Sequence, residues 1–141
     1  MIFWDSSALA ALLFEEQTTR LVQSWLQDNG EVIVWALTRV ELVSAIERRA
    51  REGILGAPER AAALVRVERI FHDAHEVTDL AAVRTRAVRL LGRHPLRAAD
   101  ALQLAAALVV SDPEPSSLAL AALDRRLAEA ARAEGLRVLT A

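Results

Sequence analysis

The sequence predicts an α/β fold in which a parallel sheet is covered by helices on both faces. Three observations carry that prediction. Five short apolar runs have strand length, the stretches between them space their apolar residues as helices do, and no repeat, low-complexity tract or linker interrupts the 141 residues. Apolar residues make up 53% of the chain, enough for a continuous core, so one domain over residues 1–141 is expected. In sheets of this kind sites form at the carboxyl ends of the strands.

The first run, Ile2 to Trp4, ends at Asp5 and leads through Ser6 and Ser7 into ALAALLFEE, a buried strand turning into a helix. A second helix is expected over Thr18 to Gln27, where Leu21, Val22, Trp25 and Leu26 form an apolar stripe and Asp28-Asn29-Gly30 stops it. Val32 to Trp35 is the second strand. Thr38 to Arg51 carries Val40, Leu42, Val43 and Ile46 at helical spacing, and Gly53 to Pro58 breaks the pattern before a helix from Glu59 to about Phe71. These two helices suggest an αα-hairpin insert. His75 to Val77 is a third strand, Asp79 to Leu91 a helix, Gly92 to Pro95 a turn, and Arg97 to Val110 another helix. Ser111 to Ser117, with Pro113 and Pro115, reads as a loop. Leu118 to Leu123 is the fourth strand, Asp124 to Glu134 a helix closed by Gly135, and Leu136 to Leu139 the last strand.

Composition excludes several chemistries. The chain has no cysteine, so thiolate metal sites, disulfides and cysteine nucleophiles are absent. All 17 basic residues are Arg, which removes Schiff-base chemistry and a P-loop lysine. MIFWDSS lacks the basic and apolar regions of a signal peptide, and every apolar run meets a charge before about 18 residues, so a soluble cytoplasmic protein with no membrane association is expected. A net charge of -2 gives no global footprint for nucleic acid.

Four acids stand out, each with a structural alternative. From Ala98 to Val110 the only polar side chains are Asp100 and Gln103, so Asp100 is expected in a buried helix, where an ionised carboxylate needs a cation or strong donors. Its alternatives are a pair with Arg97 or a protonated acid. Asp5 stands at the tip of the first strand; helix capping is its alternative, although Ser6 and Ser7 offer caps of their own. Glu41 follows Thr38 by three residues, the spacing of a capping box, yet its helix opens onto the same sheet edge as Asp5. Asp124 starts a helix and N-capping alone would explain it. Their common topology points to hard oxygen ligands for Mg²⁺ or Mn²⁺. Such a cluster supports in-line hydrolysis of a phosphodiester.

FWDSSAL with Asp5, TRVELVSAI with Glu41, LRAADALQLAAAL with Asp100 and LDRRLAEAA with Asp124 resemble the four acidic motifs of PIN domains, in that order and over nearly the whole chain. The chain length and the R-A-A-D-A-L-Q-L-A context are most similar to the VapC toxins of toxin-antitoxin pairs. The resemblance implies a PIN-like fold with a five-stranded parallel sheet in the order 3-2-1-4-5. It also implies a Mg²⁺- or Mn²⁺-dependent endoribonuclease, a homodimer, and inhibition by a VapB antitoxin. One departure is Ala122, where the family often has Thr two residues before the last Asp.

Between Asp79 and Asp100 the chain carries Arg84, Arg86, Arg89, Arg93, His94 and Arg97 with no acid, a run that could contact RNA phosphates or simply form a solvated helix face. Arg93 and Arg97 lie nearest the expected site and, with Ser6, are the candidate substrate contacts. His72 and His75 are expected at the surface, and Trp4, Trp25 and Trp35 in the core. Dehalogenase-like phosphatases and response regulators also open with a strand ending in Asp, but need a Lys that this chain lacks. A PIN-type RNA-processing nuclease without antitoxin, and a catalytically silent interaction module, remain as alternatives.

Overall fold

The computed structural model describes residues 1–141. Five strands, β1 (Ile2–Trp4), β2 (Val32–Trp35), β3 (His75–Val77), β4 (Ala119–Ala121) and β5 (Arg137–Leu139), form one sheet in the order β3-β2-β1-β4-β5. Every pairing is parallel, with Phe3 opposite Ile33 on one side and Leu120 on the other. This is the order that the resemblance implies.

Seven helices complete the fold: α1 (Ser6–Leu13), α2 (Thr19–Asp28), α3 (Thr38–Arg51), α4 (Ala57–His72), α5 (Leu80–Arg93), α6 (Ala98–Ser111) and α7 (Arg125–Ala133). Side chains alternate across a strand, so the central strands feed two cores. Phe3, Ile33, Trp35 and Leu120 pack with α5, α6 and α7, whereas Ile2, Trp4, Val32, Val34 and Ala121 pack with α1, α3 and α4. Burial on both faces explains why these strands are continuous apolar runs rather than alternating ones. Trp4 and Trp35 are fully enclosed and Trp25 only partly so. The edge strand β3 exposes His75 and Glu76, polar positions that discourage further pairing.

Local signals explain most boundaries. Gly53 and Gly135 take positive φ values of 75° and 92°, and the chain behind each folds back onto its helix through Ile54 N–H to Arg49 C=O and Leu136 N–H to Ala131 C=O. Two expected breaks are present, each with one boundary shifted. Pro58 lies in the first turn of α4, where its missing N–H is harmless, so the helix starts at Ala57 rather than Glu59. Gly92 lies inside the exposed last turn of α5, which runs to Arg93 and is closed by the His94 N–H on the Leu90 C=O at 2.9 Å. The pair α3–α4 is the expected αα-hairpin, and it supplies the connection from β2 to β3. No helix is long and apolar enough to cross a membrane.

With β1 central, the chain runs outward to β2 and β3, then returns to β4 and β5 on the other side. The carboxyl edge beside β1 is therefore the switch point at which α/β sheets open a crevice.

Candidate active site

Asp5 follows β1 directly, and its N–H extends the ladder to Ala121 C=O at 3.0 Å. It is 2% exposed and caps α1: Oδ2 accepts the Ser7 N–H at 3.1 Å and the Ser7 hydroxyl. The cap is thus the acid itself and not a serine, contrary to the expectation from D-S-S. Its second oxygen, Oδ1, is buried without any hydrogen-bond partner. Burial pushes the Asp5 carboxyl up to about 6, against the lowering effect of the Ser7 bonds, and the charges of Glu41 and Asp100 add to the rise.

Ser7 Oγ has a second connection. It accepts the N–H of Leu123 at 2.9 Å and faces that of Asp124 at 3.4 Å. One hydroxyl thereby joins the end of β1 to the turn between β4 and α7, and so fixes Asp5 relative to Asp124.

Glu41 lies in the first turn of α3 but forms no capping box. Thr38 is already helical and buried, and the cap position, Leu37, makes no side-chain bond. The Glu41 carboxylate instead accepts the Ser6 hydroxyl at Oε2 (3.0 Å) and the Gln103 amide at Oε1 (2.8 Å). Burial raises its pKa, Gln103 and Ser6 lower it, and the charge of Asp100 raises it further.

Asp100 opens α6. The helix is buried from Ala101 onward, but its first turn faces solvent, so Asp100 is half-buried rather than enclosed as expected. Its pKa is raised first by burial and then by the charge of Asp124, against the lowering influence of Arg97 and Arg126. Asp124 caps α7 through Oδ1 and the Leu127 N–H at 2.9 Å, so the capping role expected for it is real. Asp100 and Asp124 share a cleft with Arg97 and Arg126.

The four acids therefore form a chain of like charges: Glu41 and Asp100 act on Asp5, Asp100 on Glu41, and Asp124 on Asp100. Ser6 serves Glu41, and Arg97 lines the cleft. Arg93 turns elsewhere, pairing with Glu134 at 3.2 Å beyond the far end of α7, where His94 Nε2 lies 2.8 Å from the same carboxylate. Sequence reasoning missed Arg126, which carried no signal, and the joining role of Ser7. Gln103 was visible as the one other polar residue of α6 but had no assigned partner.

A hard divalent cation fits this donor set. All the donors are oxygens, the cluster has excess negative charge, and a buried carboxylate oxygen lacks any partner. No three acidic or histidine side chains converge into a ready cage.

A family model described as "PIN domain" matches residues 2–133. Ribonuclease VapC35 of Mycobacterium tuberculosis is 36% identical over 141 residues, covering 99% of this chain and 96% of that protein. Among solved structures, Mycobacterium tuberculosis VapC20, a sarcin-ricin loop cleaving toxin, aligns over 96% of both chains with a TM-score of 0.65 and 22% identity. DNA-bound VapBC from Salmonella typhimurium aligns over 99% of this chain and 96% of that one, with a TM-score of 0.64 and 16% identity. At such identities the two structural likenesses speak for the fold alone.

Proposed function

The chain belongs to the PIN-domain family, and on that premise we propose that it is a Mg²⁺- or Mn²⁺-dependent endoribonuclease, the toxin of a VapBC-type pair. The observation that carries the reading is the carboxylate chain at the sheet's switch point, with a buried Asp5 oxygen that no protein group satisfies. The full-length relative named Ribonuclease VapC35 supports RNA as substrate.

Asp5, Glu41 and Asp100 would hold the cation, and Asp124 would contribute the oxygen that its cap leaves free. When bound, the cation supplies charge at the scissile phosphodiester and eases deprotonation of the attacking water. The protein's own part is orientation. Ser6 and Gln103 hold Glu41 from two sides, and Ser7 fixes Asp5. Arg97 and Arg126, which line the cleft, would supply guanidinium groups to the phosphate.

A VapB-type antitoxin and a homodimer complete the proposal. The VapC name of the relative supports the first, and the second is what the resemblance to VapC toxins implies. Mass measurement of the purified chain in solution tests the dimer; co-purification with the small protein encoded beside it tests the antitoxin. The cation is tested by thermal unfolding with added Mn²⁺. Wild type is expected to gain stability and Asp5→Asn to gain little. An equal gain in both would remove Asp5 from the site.

A further inference from the structure

We propose that Gln103 is a positioning residue that fixes the Glu41 carboxylate for the cation. The proposal rests on the metal-nuclease reading above. From Ala101 to Leu108, α6 is otherwise apolar and packs inside the core, and Gln103 is fully buried within it. Its amide nitrogen donates to Glu41 Oε1 at 2.8 Å and to Thr38 Oγ1 at 2.9 Å, while its carbonyl oxygen has no partner.

Amide orientation follows the surrounding network. Turned the other way, the carbonyl oxygen would face a carboxylate that has no proton to give, so Glu41 itself dictates that the nitrogen points inward. The orphaned carbonyl is a cost that an apolar side chain of similar volume would not carry. Gln103 also stands three residues after Asp100, on the neighbouring turn of one helix. That helix therefore carries one candidate ligand and the donor that orients another.

Ser6 alone would not hold Glu41. The side chain is half-buried, and with Oε1 unpaired it could rotate towards water and away from Asp5. Groups that orient a metal's ligands typically influence affinity roughly 10–100-fold.

The test is a calorimetric Mn²⁺ titration of the full chain in wild type, Gln103→Met, Gln103→Asn, Glu41→Gln and the double variant Gln103→Met/Glu41→Gln. Met keeps the volume without a donor; Asn keeps the amide but shortens its reach. Both are expected to bind Mn²⁺ about tenfold more weakly or worse, with Gln103→Met melting within a few degrees of wild type when metal-free. The double variant is expected to bind no more weakly than Glu41→Gln, because Gln103 acts through Glu41. Wild-type affinity in Gln103→Asn or Gln103→Met, or additive losses in the double variant, would overturn the proposal. Should Gln103→Met fail to fold, Gln103→Asn decides. No Mn²⁺ binding by wild type would instead remove the metal-nuclease reading, and this proposal with it.

Discussion

The hydroxyl of Ser7 donates to the carboxylate of Asp5 and, through the same oxygen, receives the N–H of Leu123 across 116 residues of sequence. Two strand ends on either side of the switch point are thus held by one side-chain atom. Ser7→Ala leaves the Leu123 N–H and one bond of Asp5 unmet and is expected to cost about 1–3 kcal/mol of stability, with cleavage lowered as well. Ser7→Thr, which keeps the hydroxyl, should retain most of both. Thermal unfolding and RNA cleavage of the two variants check this, and an unaltered Ser7→Ala would contradict it.

Asp5 destabilises the metal-free protein at neutral pH. Its folded pKa of about 6 lies above the ordinary 3.8, chiefly through burial. Below pH 3.8 both folded and unfolded states are protonated and nothing is lost. Between 3.8 and 6 the folded state keeps a proton that the unfolded state has released, so stability falls as pH rises through this window. Above it the loss approaches about 3 kcal/mol. Metal-free Asp5→Asn should therefore gain on wild type in melting temperature between pH 4 and pH 7. A constant difference across that range would count against the buried charge.

Asp124 has two roles that one pair of variants separates. Asparagine caps a helix about as well as aspartate, whereas alanine loses about 0.5–2 kcal/mol. Asp124→Asn is expected to melt close to wild type and Asp124→Ala lower, while cleavage falls in both because the charge is gone. Full cleavage by Asp124→Asn would reduce the residue to a cap.

Arg97 and Arg93 should differ in their effect on RNA. Arg97→Ala is expected to weaken binding and to make its logarithmic salt dependence shallower by about 0.7 per lost phosphate contact with single-stranded RNA. Arg93→Ala should do neither, since its guanidinium pairs with Glu134 away from the cleft. Filter binding across a salt series distinguishes them, and equal slopes for Arg97→Ala and wild type would refute the assignment.

Much of this fold was legible because the central strands are buried on both faces. VIVW and IFW can be little else than short core strands when helical stretches flank them. Boundaries were less legible where one residue has two uses: Pro58 breaks a helix interior but suits its first turn, and Gly92 reads as a stop yet sits in a last turn that the His94 N–H closes on Leu90. Sheet order came from the family resemblance, since periodicity does not say which strands pair. At the site, Asp5, Glu41 and Asp100 stood out by position and motif. Their partners did not, because Ser7 to Leu123 and Gln103 to Glu41 are contacts that only the folded chain brings together. T-x-x-E suggested a capping box, but Thr38 is already helical, and Glu41 accepts Ser6 and Gln103 instead.

The most direct test of the account is RNA cleavage by the purified, partner-free chain with Mn²⁺ and with EDTA, comparing wild type, Asp5→Asn and Asp100→Asn. Wild type is expected to cleave with Mn²⁺, to stop with EDTA, and to lose at least two orders of magnitude in rate, roughly 2.7 kcal/mol in barrier, in each variant. Cleavage that survives EDTA, or that is unchanged in both variants, would contradict the account.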